Sequence, residues 1–372
     1  MTAVAPKANL SANTNQTAVY RRRVAVLFGG RSSEHDVSVL SATNVVKALD
    51  PDRYDVFPIF VTKAGQWRMV EPNVDLSLAS TAEAAPQLCL LPGGHGRLFA
   101  VPDNATAFEL PPIDVLFPVL HGMHGEDGSI QGLAEVARVP YAGCGILGSA
   151  AAIDKDVAKR LLEQAGLPVA NSVCIHHAAP APFGEVVDQL GLPLFVKPSR
   201  QGSSVGVNKV TDKESFDAAL AEGFKYDRKL LAEQFIRGRE IECSVLEHAD
   251  GEIFVSLPGE IAPSEHHGFY SYEAKYIDEN GAALIVPAQL PKDVEGRIRQ
   301  AAALAFKALG CDGMARVDFF LTADMAFVVN EVNTIPGFTD ISMYAKAMAV
   351  SGISYPEILD RLIDHAMARA GR

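Results

Sequence analysis

Short apolar runs alternate with amphipathic stretches along the first part of the chain. The run Val24–Phe28 ends at Gly29 and Gly30, which is the pattern of a buried strand followed by a turn. Alternating strands and helices favour an α/β domain with a parallel sheet, whose ligand residues lie on loops at the carboxyl ends of strands. Residues 71–112 are rich in Pro, Gly and Ala and receive no assignment. The other predicted elements here are a helix over 37–49, strands over 54–61 and 114–120, and a helix over 129–139.

The same alternation continues to the end of the chain. A helix over 154–165 is closed by Gly166 and Pro168, in the order typical of helix ends. A longer helix over 293–309 carries one apolar stripe, which predicts a buried face. Strands are predicted over 194–197, 207–210 and 230–236. The stripe consists of Val294, Ile298, Ala302, Ala305 and Leu309.

A chain of 372 residues is too long for one small domain, and the pattern divides it into three blocks after a tail. We expect a disordered tail at 1–22, an N-terminal α/β domain at 23–148, a central subdomain at 149–239 and a C-terminal subdomain at 240–372.

Composition narrows the class of protein. With 33 Lys and Arg against 45 Asp and Glu, the chain lacks the net basic charge of a nucleic-acid binder. No apolar run is long enough to cross a membrane, and the tail lacks the apolar core of a secretory signal. The five cysteines are widely spaced and form no CxxC pair, which favours reduced core cysteines in a cytoplasmic protein. They are Cys89, Cys144, Cys174, Cys243 and Cys311.

The most informative segment runs from Gly313 to Ser342 and predicts two paired strands joined by a short polar turn. Side chains alternate along a strand, so Arg316 and Asp318 share a face, as do Glu331 and Asn333. In register, the two carboxylates and the amide form an oxygen cluster beside an arginine. Such ligands suit Mg²⁺, and the arginine suits a phosphoryl group or a developing oxyanion.

A second candidate is the loop Gly202–Gly206, whose small residues would let backbone amides approach phosphate oxygens. Lys197 precedes it and would supply a charge, while Ser203 and Ser204 would add hydroxyl donors. An ordinary hairpin turn beside a surface lysine explains the pattern equally well. The loop is not a Walker loop, because the chain contains no Gly-Lys dipeptide.

Several polar residues on the remaining loops have two readings. Glu34 follows the first strand, where it either begins a helix or holds a substrate ammonium group. His121 and His124 do not match a zinc motif, so local hydrogen bonding is favoured over metal binding, and substrate contact stays open. Glu233 and Glu240 are either solvated charges or partners for an adenine amino group and ribose hydroxyls.

Together these motifs identify a family: the chain resembles D-alanine–D-alanine ligases of the ATP-grasp superfamily, from Val24 to near its C-terminus. The motifs occur in family order, and several long ones coincide. They are GGRSSEHDVS at 29–38, HGMHGEDG at 121–128, VKPSRQGSSVG at 196–206, YEAKY at 272–276, RVDFF at 316–320 and NEVNTIPGFT at 330–339.

The resemblance implies a three-domain ATP-grasp architecture in which the N-terminal domain binds substrate and ATP lies between the other two blocks. Gln234 stands where many relatives carry lysine. Two Mg²⁺ ions, with Mn²⁺ as an alternative, would be bound by Asp318, Glu331 and Asn333. The residues implied for ATP are Lys155, Phe195, Lys197, Ser203, Ser204, Glu233, Gln234, Phe235, Ile236, Glu240, Phe269, Lys275 and Asn330.

The resemblance also implies the substrate contacts and the reaction. Two D-alanine molecules would be joined through an acyl phosphate, giving ADP and phosphate, for peptidoglycan precursor synthesis. The loop 202–206 and segment 269–276 would close as lids. Homodimers are a family expectation. Implied catalytic or substrate-binding residues are Glu34 with Ser203 and Tyr276 for the first D-alanine, Arg316 and the Gly337 amide for the oxyanion, Ser342 and Met343 for the second carboxylate, and His121 for positioning.

Two alternatives stay open at this point. A D-alanine–D-lactate or D-alanine–D-serine ligase would share most motifs, although the lysine-tyrosine pair ending at Tyr276 is typically replaced in D-lactate ligases. A non-catalytic nucleotide-binding module is disfavoured by the complete set of Arg316, Asp318, Glu331 and Asn333.

Overall fold

The computed structural model describes residues 20–70, 75–77, 79, 85–263, 282–339 and 342–371. Most of the predicted tail lies outside this range. Tyr20 and Arg22, at its end, already belong to the folded part: the Tyr20 hydroxyl donates to Asp114 Oδ1 at 2.7 Å, and Arg22 begins the first strand.

The first block is built on a seven-stranded sheet in the order β6-β5-β4-β3-β2-β1-β7. Among the described strands of this block, β2, β1 and β7 pair in parallel, and the strands on the other side pair antiparallel. The predicted parallel sheet is present in β2, β1 and β7, at one side of the sheet, whereas the antiparallel strands β4 to β6 lie within residues 71–112, which received no assignment. The elements are β1 Arg22–Gly29, α1 His35–Ala48, β2 Tyr54–Val61, β3 Trp67–Met69, β4 Gln87–Leu90, β5 Leu98–Val101, β6 Phe108–Leu110, β7 Val115–Pro118, α2 Ser129–Ala137 and α3 Ile146–Ile153.

The second block is a four-stranded antiparallel sheet in the order β10-β9-β11-β8, covered by helices. Asp154 caps α4 by accepting a hydrogen bond from the Val157 amide at 3.3 Å, which satisfies a free donor of the first turn. The elements are α4 Lys155–Gln164, β8 Ser172–His176, α5 Phe183–Leu190, β9 Leu194–Pro198, β10 Asn208–Val210, α6 Lys213–Gly223 and β11 Lys229–Gln234.

The third block is a six-stranded sheet in the order β15-β14-β12-β16-β17, with β13 paired to β12. Helix α7 packs on it through the predicted stripe, all five members of which are buried. The elements are β12 Arg239–Glu247, β13 Ile253–Val255, β14 Gly259–Pro263, β15 Ala282–Ile285, α7 Lys292–Ala308, β16 Met314–Leu321, β17 Phe327–Asn333, α8 Met343–Val350 and α9 Tyr355–Arg369.

The cysteines are free thiols, as predicted, but they are not all core residues. Cys144, Cys243 and Cys311 are buried, whereas Cys89 is exposed and Cys174 is partly exposed. Cys89 lies in β4, whose alternating exposure places it on the solvent face.

Candidate active site

The predicted hairpin forms with the predicted register. Strand β16 pairs antiparallel with β17, with Arg316 opposite Asn333 and Asp318 opposite Glu331. The register shifts after Asp318, so that Asn330 falls between the paired positions. A bulge of this kind re-aims side chains beside a site. The four polar side chains therefore meet on one face of the sheet.

Arg316 and Asp318 form a two-pronged ion pair in the centre of this cluster. The Arg316 Nε and Nη2 atoms donate to the two Asp318 carboxylate oxygens at 2.8 and 2.7 Å. The Asn333 side-chain amide donates to Asp318 Oδ2 at 2.9 Å. Burial opposes the charge of Arg316, but the carboxylates of Asp318 and Glu242 outweigh it and raise the pKa of the guanidinium well above its usual value.

Glu242 is a functional candidate that the sequence reasoning missed. It lies on β12 directly opposite Asp318 and is 6% exposed. Its Oε2 lies 3.1 Å from Arg316 Nε. Arg316 is therefore held by two carboxylates on neighbouring strands. The sequence feature that could have identified Glu242 is its spacing of two residues from Glu240, which puts both residues on one face of the strand.

Lys155 connects the second block to the cluster. It is the first residue of α4, and its Nζ lies 3.3 Å from Glu331 Oε2. The same ammonium donates to the Gln201 carbonyl at 2.9 Å, at the start of the glycine-serine loop. A cleft lined by Gly122, Lys155, Gly202, Glu331 and Asn333 opens at this junction.

Lys197 and Glu233 lie on neighbouring strands and form a second charged cluster with Lys159. The Glu233 carboxylate lies 2.5 Å from Lys197 Nζ and 3.0 Å from Lys159 Nζ. Burial penalises the Glu233 carboxylate, but both ammonium groups stabilise it, and the net effect lowers its pKa. Lys159 was also missed: on a helix it reads as a solvated charge, yet it is 3% exposed.

Two aromatic rings lie next to this second cluster. Phe195, on β9, pairs with Glu233 across the sheet, and its ring centroid lies 5.8 Å from that of Phe235. The Lys209 ammonium lies 5.6 Å from the Phe235 ring centroid. Gln234 ends β11, Ile236 lies on the connection into β12, and Glu240 lies at the start of β12. All of these implied ATP residues therefore lie at the junction of the second and third sheets.

The glycine-serine loop reaches across to the first block. Ser203 and Ser204 have φ angles of 49° and 60°, a left-handed conformation that serine rarely adopts and that often marks a functional loop. The Ser203 hydroxyl donates to Glu34 Oε1. A Cβ on Gly202 would lie 2.7 Å from Glu34 Oε2, so the loop backbone passes directly beside the Glu34 carboxylate. Glu34 occupies the N-cap position of α1 without capping it through its side chain.

The segment after β17 brings Gly337, Ser342 and Met343 together. A Cβ on Gly337 would lie 2.9 Å from Ser342 Oγ, so the two residues are neighbours. The Ser342 hydroxyl accepts a hydrogen bond from the Thr339 amide at 2.9 Å, and Met343 begins α8 as a buried residue.

The histidines of the first block separate into two environments. His121 is buried between Ser41 Oγ at 3.2 Å and the Ile335 carbonyl at 3.0 Å, and burial lowers its pKa. His124 is exposed, with Nδ1 4.0 Å from Asp127. Among the described residues, no group of three His, Cys, Asp or Glu side chains could hold a metal ion. Of the predicted site residues, Phe269, Lys275 and Tyr276 lie outside the described part of the chain.

Three sheets that meet around paired carboxylates, lysines and a glycine-serine loop define the ATP-grasp class of enzymes, as the sequence predicted. The sequence matches the family descriptions "D-ala D-ala ligase N-terminus" over residues 23–144 and "D-ala D-ala ligase C-terminus" over residues 161–364. The chain therefore belongs to the D-alanine–D-alanine ligase family.

Individual relatives agree with this assignment. The chain is 59% identical to D-alanine–D-alanine ligase A of Brucella suis biovar 1 (strain 1330), with 94% of this chain and 98% of the relative covered. The structure of the D-alanine–D-alanine ligase from Coxiella burnetii matches with a TM-score of 0.81 at 35% identity, covering 94% of this chain and 95% of that one. The VanG D-Ala:D-Ser ligase from Enterococcus faecalis matches with a TM-score of 0.81 at 36% identity, covering 93% and 100%.

A third solved relative was determined with nucleotide. The D-alanine–D-alanine ligase from Bacillus anthracis complexed with ATP matches with a TM-score of 0.69 at 27% identity, covering 94% of this chain and 98% of that one. Within the described residues, we find no helix with the length and apolar character needed to span a membrane.

Proposed function

We propose that this protein joins two D-alanine molecules in an ATP-dependent reaction that supplies the dipeptide for peptidoglycan precursors. The observation that carries the proposal is the hairpin cluster, in which Arg316, Asp318, Glu331 and Asn333 meet on one face beside Lys155. We place the reaction in the cytoplasm, where ATP is available, and expect a homodimer.

ATP would bind between the second and third sheets. Lys155 and Lys197 supply ammonium groups for its phosphates, and the amides of the loop 202–206 would close over them. Glu233 faces Lys197 and would accept from the adenine amino group, with Phe195 and Phe235 beside the ring. Gln234, Ile236 and Asn330 complete the base site, Glu240 binds ribose, and Phe269 and Lys275 are proposed for the same site.

The donor set fits magnesium. Asp318 and Glu331 offer carboxylate oxygens and Asn333 an amide oxygen, a small oxygen set of the kind that Mg²⁺ completes with phosphate and water. In the structure both Asp318 oxygens accept from Arg316, and Oδ2 also accepts from Asn333, so a guanidinium charge already stabilises the carboxylate. When bound, two Mg²⁺ ions would neutralise phosphate charge, with Mn²⁺ as an alternative.

The substrates would lie between Glu34 and the segment after β17. Glu34, held by Ser203 and proposed to meet Tyr276, would bind the ammonium of the first D-alanine. Ser342, with the Met343 backbone, would bind the carboxylate of the second. Arg316 and the Gly337 amide would donate to the oxyanion.

The reaction then has two balanced steps. The carboxylate of the first D-alanine attacks the γ-phosphorus of ATP; the new O–P bond forms as the bond to ADP breaks, giving an acyl phosphate. The amine of the second D-alanine attacks the acyl carbon, loses a proton and expels phosphate. The protein's part is to align the reactants, to stabilise the oxyanion and to exclude water from the acyl phosphate.

A D-serine-using ligase is the second candidate, because the VanG enzyme matches this chain with the same TM-score as a D-alanine–D-alanine ligase. Three curated relatives at 58–60% identity are named D-alanine–D-alanine ligase A, and this favours D-alanine as the second substrate.

The test is ADP release by the purified protein with ATP and Mg²⁺, in the presence of D-alanine or of L-alanine. We expect release with D-alanine only. Mixtures of D-alanine with D-serine or D-lactate, analysed for product, assign the second substrate. No D-alanine-dependent turnover would refute the proposal, and a preference for D-serine or D-lactate would replace it with the corresponding alternative.

A further inference from the structure

The segment Ile335–Phe338, which contains the proposed oxyanion donor Gly337, is held from both ends by the first block. At its start, the Ile335 amide donates to Glu126 Oε1 at 2.8 Å, and the Ile335 carbonyl lies 3.0 Å from His121 Nδ1. Both partners belong to the loop after β7. One residue of the third block, Ile335, is thus bound at both its amide and its carbonyl by side chains of the first.

The end of the segment is held by helix α1 in the same manner. The Phe338 amide donates to Ser41 Oγ at 3.2 Å, and the Phe338 carbonyl accepts from Asn44 Nδ2 at 3.2 Å. Tyr355 of α9 donates to the same carbonyl at 3.1 Å. Ser41 Oγ is also 3.2 Å from His121 Nε2, which joins the two sets of contacts.

The holding residues are themselves fixed. The second oxygen of Glu126 accepts from the Gly122 amide at 2.8 Å, and the Ser32 hydroxyl donates to the His121 carbonyl at 2.7 Å. Ser41 is fully buried on α1. The position of the segment Ile335–Phe338 is therefore fixed relative to helix α1 and to the loop after β7.

The segment has few other means of fixing its own geometry. Pro336 has no N–H to donate, and Gly337 has no side chain to pack. The fold can fix the segment through the backbone groups of its two outer residues, Ile335 and Phe338, and through their buried side chains. The hydrogen bonds from the first block fall on those two residues, on either side of Gly337.

We propose that Glu126 and Ser41 are positioning residues, which set the Gly337 amide for the step in which the second amine attacks the acyl carbon. The inference rests on the proposed function and deepens it. A donor to an oxyanion must point at the place where charge develops, and small displacements of such a group slow the reaction strongly. The substrate-binding block would thereby control the oxyanion site of the nucleotide-binding part.

The experiment compares Glu126→Gln and Ser41→Ala with two control variants. Asp127→Asn changes the next residue of the same loop, which accepts from the His124 and Ser129 amides and does not contact Ile335. Thr43→Val removes a hydroxyl of α1 that donates only within the helix, to the Val39 carbonyl at 2.9 Å.

Two rates are measured for each full-length protein: ligation of D-alanine, and D-alanine-dependent scrambling of ¹⁸O between the bridging and non-bridging β-phosphate positions of ATP. Scrambling reports reversible acyl phosphate formation, whereas ligation also requires amine attack. We expect kcat for ligation to fall at least about tenfold in Glu126→Gln and Ser41→Ala. The ratio of scrambling to ligation should rise, with the KM for ATP within about twofold of wild type, and the controls should behave like wild type.

Different outcomes refute the positioning role and the proposed function. If the wild type ligates D-alanine but both variants keep its kcat, or lose scrambling and ligation in parallel, the positioning role is refuted and the proposed function stands. A purely structural role would lower the melting temperature and leave the ratio of the two rates unchanged, which also refutes the inference. Absence of D-alanine-dependent turnover in the wild type would instead refute the proposed function.

Discussion

The buried ion pair between Lys159 and Glu233 leads to a prediction that the sequence alone does not provide. The Lys159 ammonium lies 3.0 Å from Glu233 Oε1, on the side opposite Lys197, and the lysine side chain is almost fully buried. Because Lys159 pairs with Glu233, Lys197 would be able to leave that carboxylate for a phosphate in the proposed ATP site. In Lys159→Met, Lys197 would be the remaining ammonium group on Glu233, and its release would strand a buried carboxylate.

The magnitude follows from the cost of that stranded charge. Breaking a buried ion pair by removing one partner costs about 3–5 kcal/mol. The adenine amino group of bound ATP would compensate part of this cost, so we expect ATP binding to weaken by about 2–3 kcal/mol. At 1.4 kcal/mol per factor of ten, this corresponds to about a 30- to 150-fold rise in the Kd for ATP.

The assay is calorimetric titration with a non-hydrolysable ATP analogue, supported by the KM for ATP at saturating D-alanine. Arg160→Met is the matched control, because Arg160 is the next residue of the same helix and pairs with Asp156 at the surface. Exposed pairs contribute about 1 kcal/mol or less, so the control should bind ATP almost normally. An ATP Kd for Lys159→Met within threefold of wild type would refute the reasoning, as would an equal effect in Arg160→Met.

Three further predictions address the metal site, a buried acid and the fold. Glu331→Gln should lower kcat by a factor of about 100 or more with an unchanged circular dichroism spectrum, because it removes one of two carboxylates proposed for Mg²⁺; near-normal turnover would contradict the metal role. Burial raises the pKa of Glu126 from 4.5 to about 7, so the folded protein binds a proton more tightly than the unfolded chain, and the stabilisation that this proton gives is lost as pH rises from 4.5 to 7. The melting temperature of the wild type should therefore fall relative to that of Glu126→Gln over this pH range. Melting temperatures that change in parallel with pH would exclude the pKa shift. Arg239→Met removes a two-pronged pair with Glu260, whose N–O distances are 2.7 and 2.6 Å. Because the arginine is one-third exposed, we expect the free energy of unfolding to fall by about 1 kcal/mol in urea denaturation. An unchanged free energy of unfolding would show that the pair is dispensable.

The hairpin of the third block could be predicted because its pattern has a period of two. Alternation in strands fixes which side chains share a face, and the short turn fixes which strand pairs with which. Arg316, Asp318, Glu331 and Asn333 therefore converge as the sequence indicated. Helix α7 was predictable for a similar reason, since its stripe has the helical period and all its members are buried.

The antiparallel extension of the first sheet could not be predicted from local pattern. Strands β3 to β6 are three or four residues long, and β6 is mostly exposed, so none of them carries enough alternating positions to stand out. Their conformation depends on pairing with neighbouring strands.

The partners of the site residues were missed because their roles depend on contacts between distant parts of the chain. Lys159 lies on a helix whose surface is rich in charge, and only its position against Glu233 distinguishes it from Arg160. Glu242 gains its role from the strand order, which places it opposite Asp318. Glu126 lies within a recognised motif, but its hydrogen bond to the Ile335 amide joins the first block to the third.

We propose that this chain forms a peptide bond between two D-alanine molecules at the expense of ATP. The most direct measurement is mass-spectrometric quantification of the product from purified protein, ATP, Mg²⁺ and D-alanine, alongside ADP. We expect D-alanyl-D-alanine in equal amount to ADP and no dipeptide from L-alanine. ADP release without dipeptide, or dipeptide from L-alanine at a comparable rate, would contradict it.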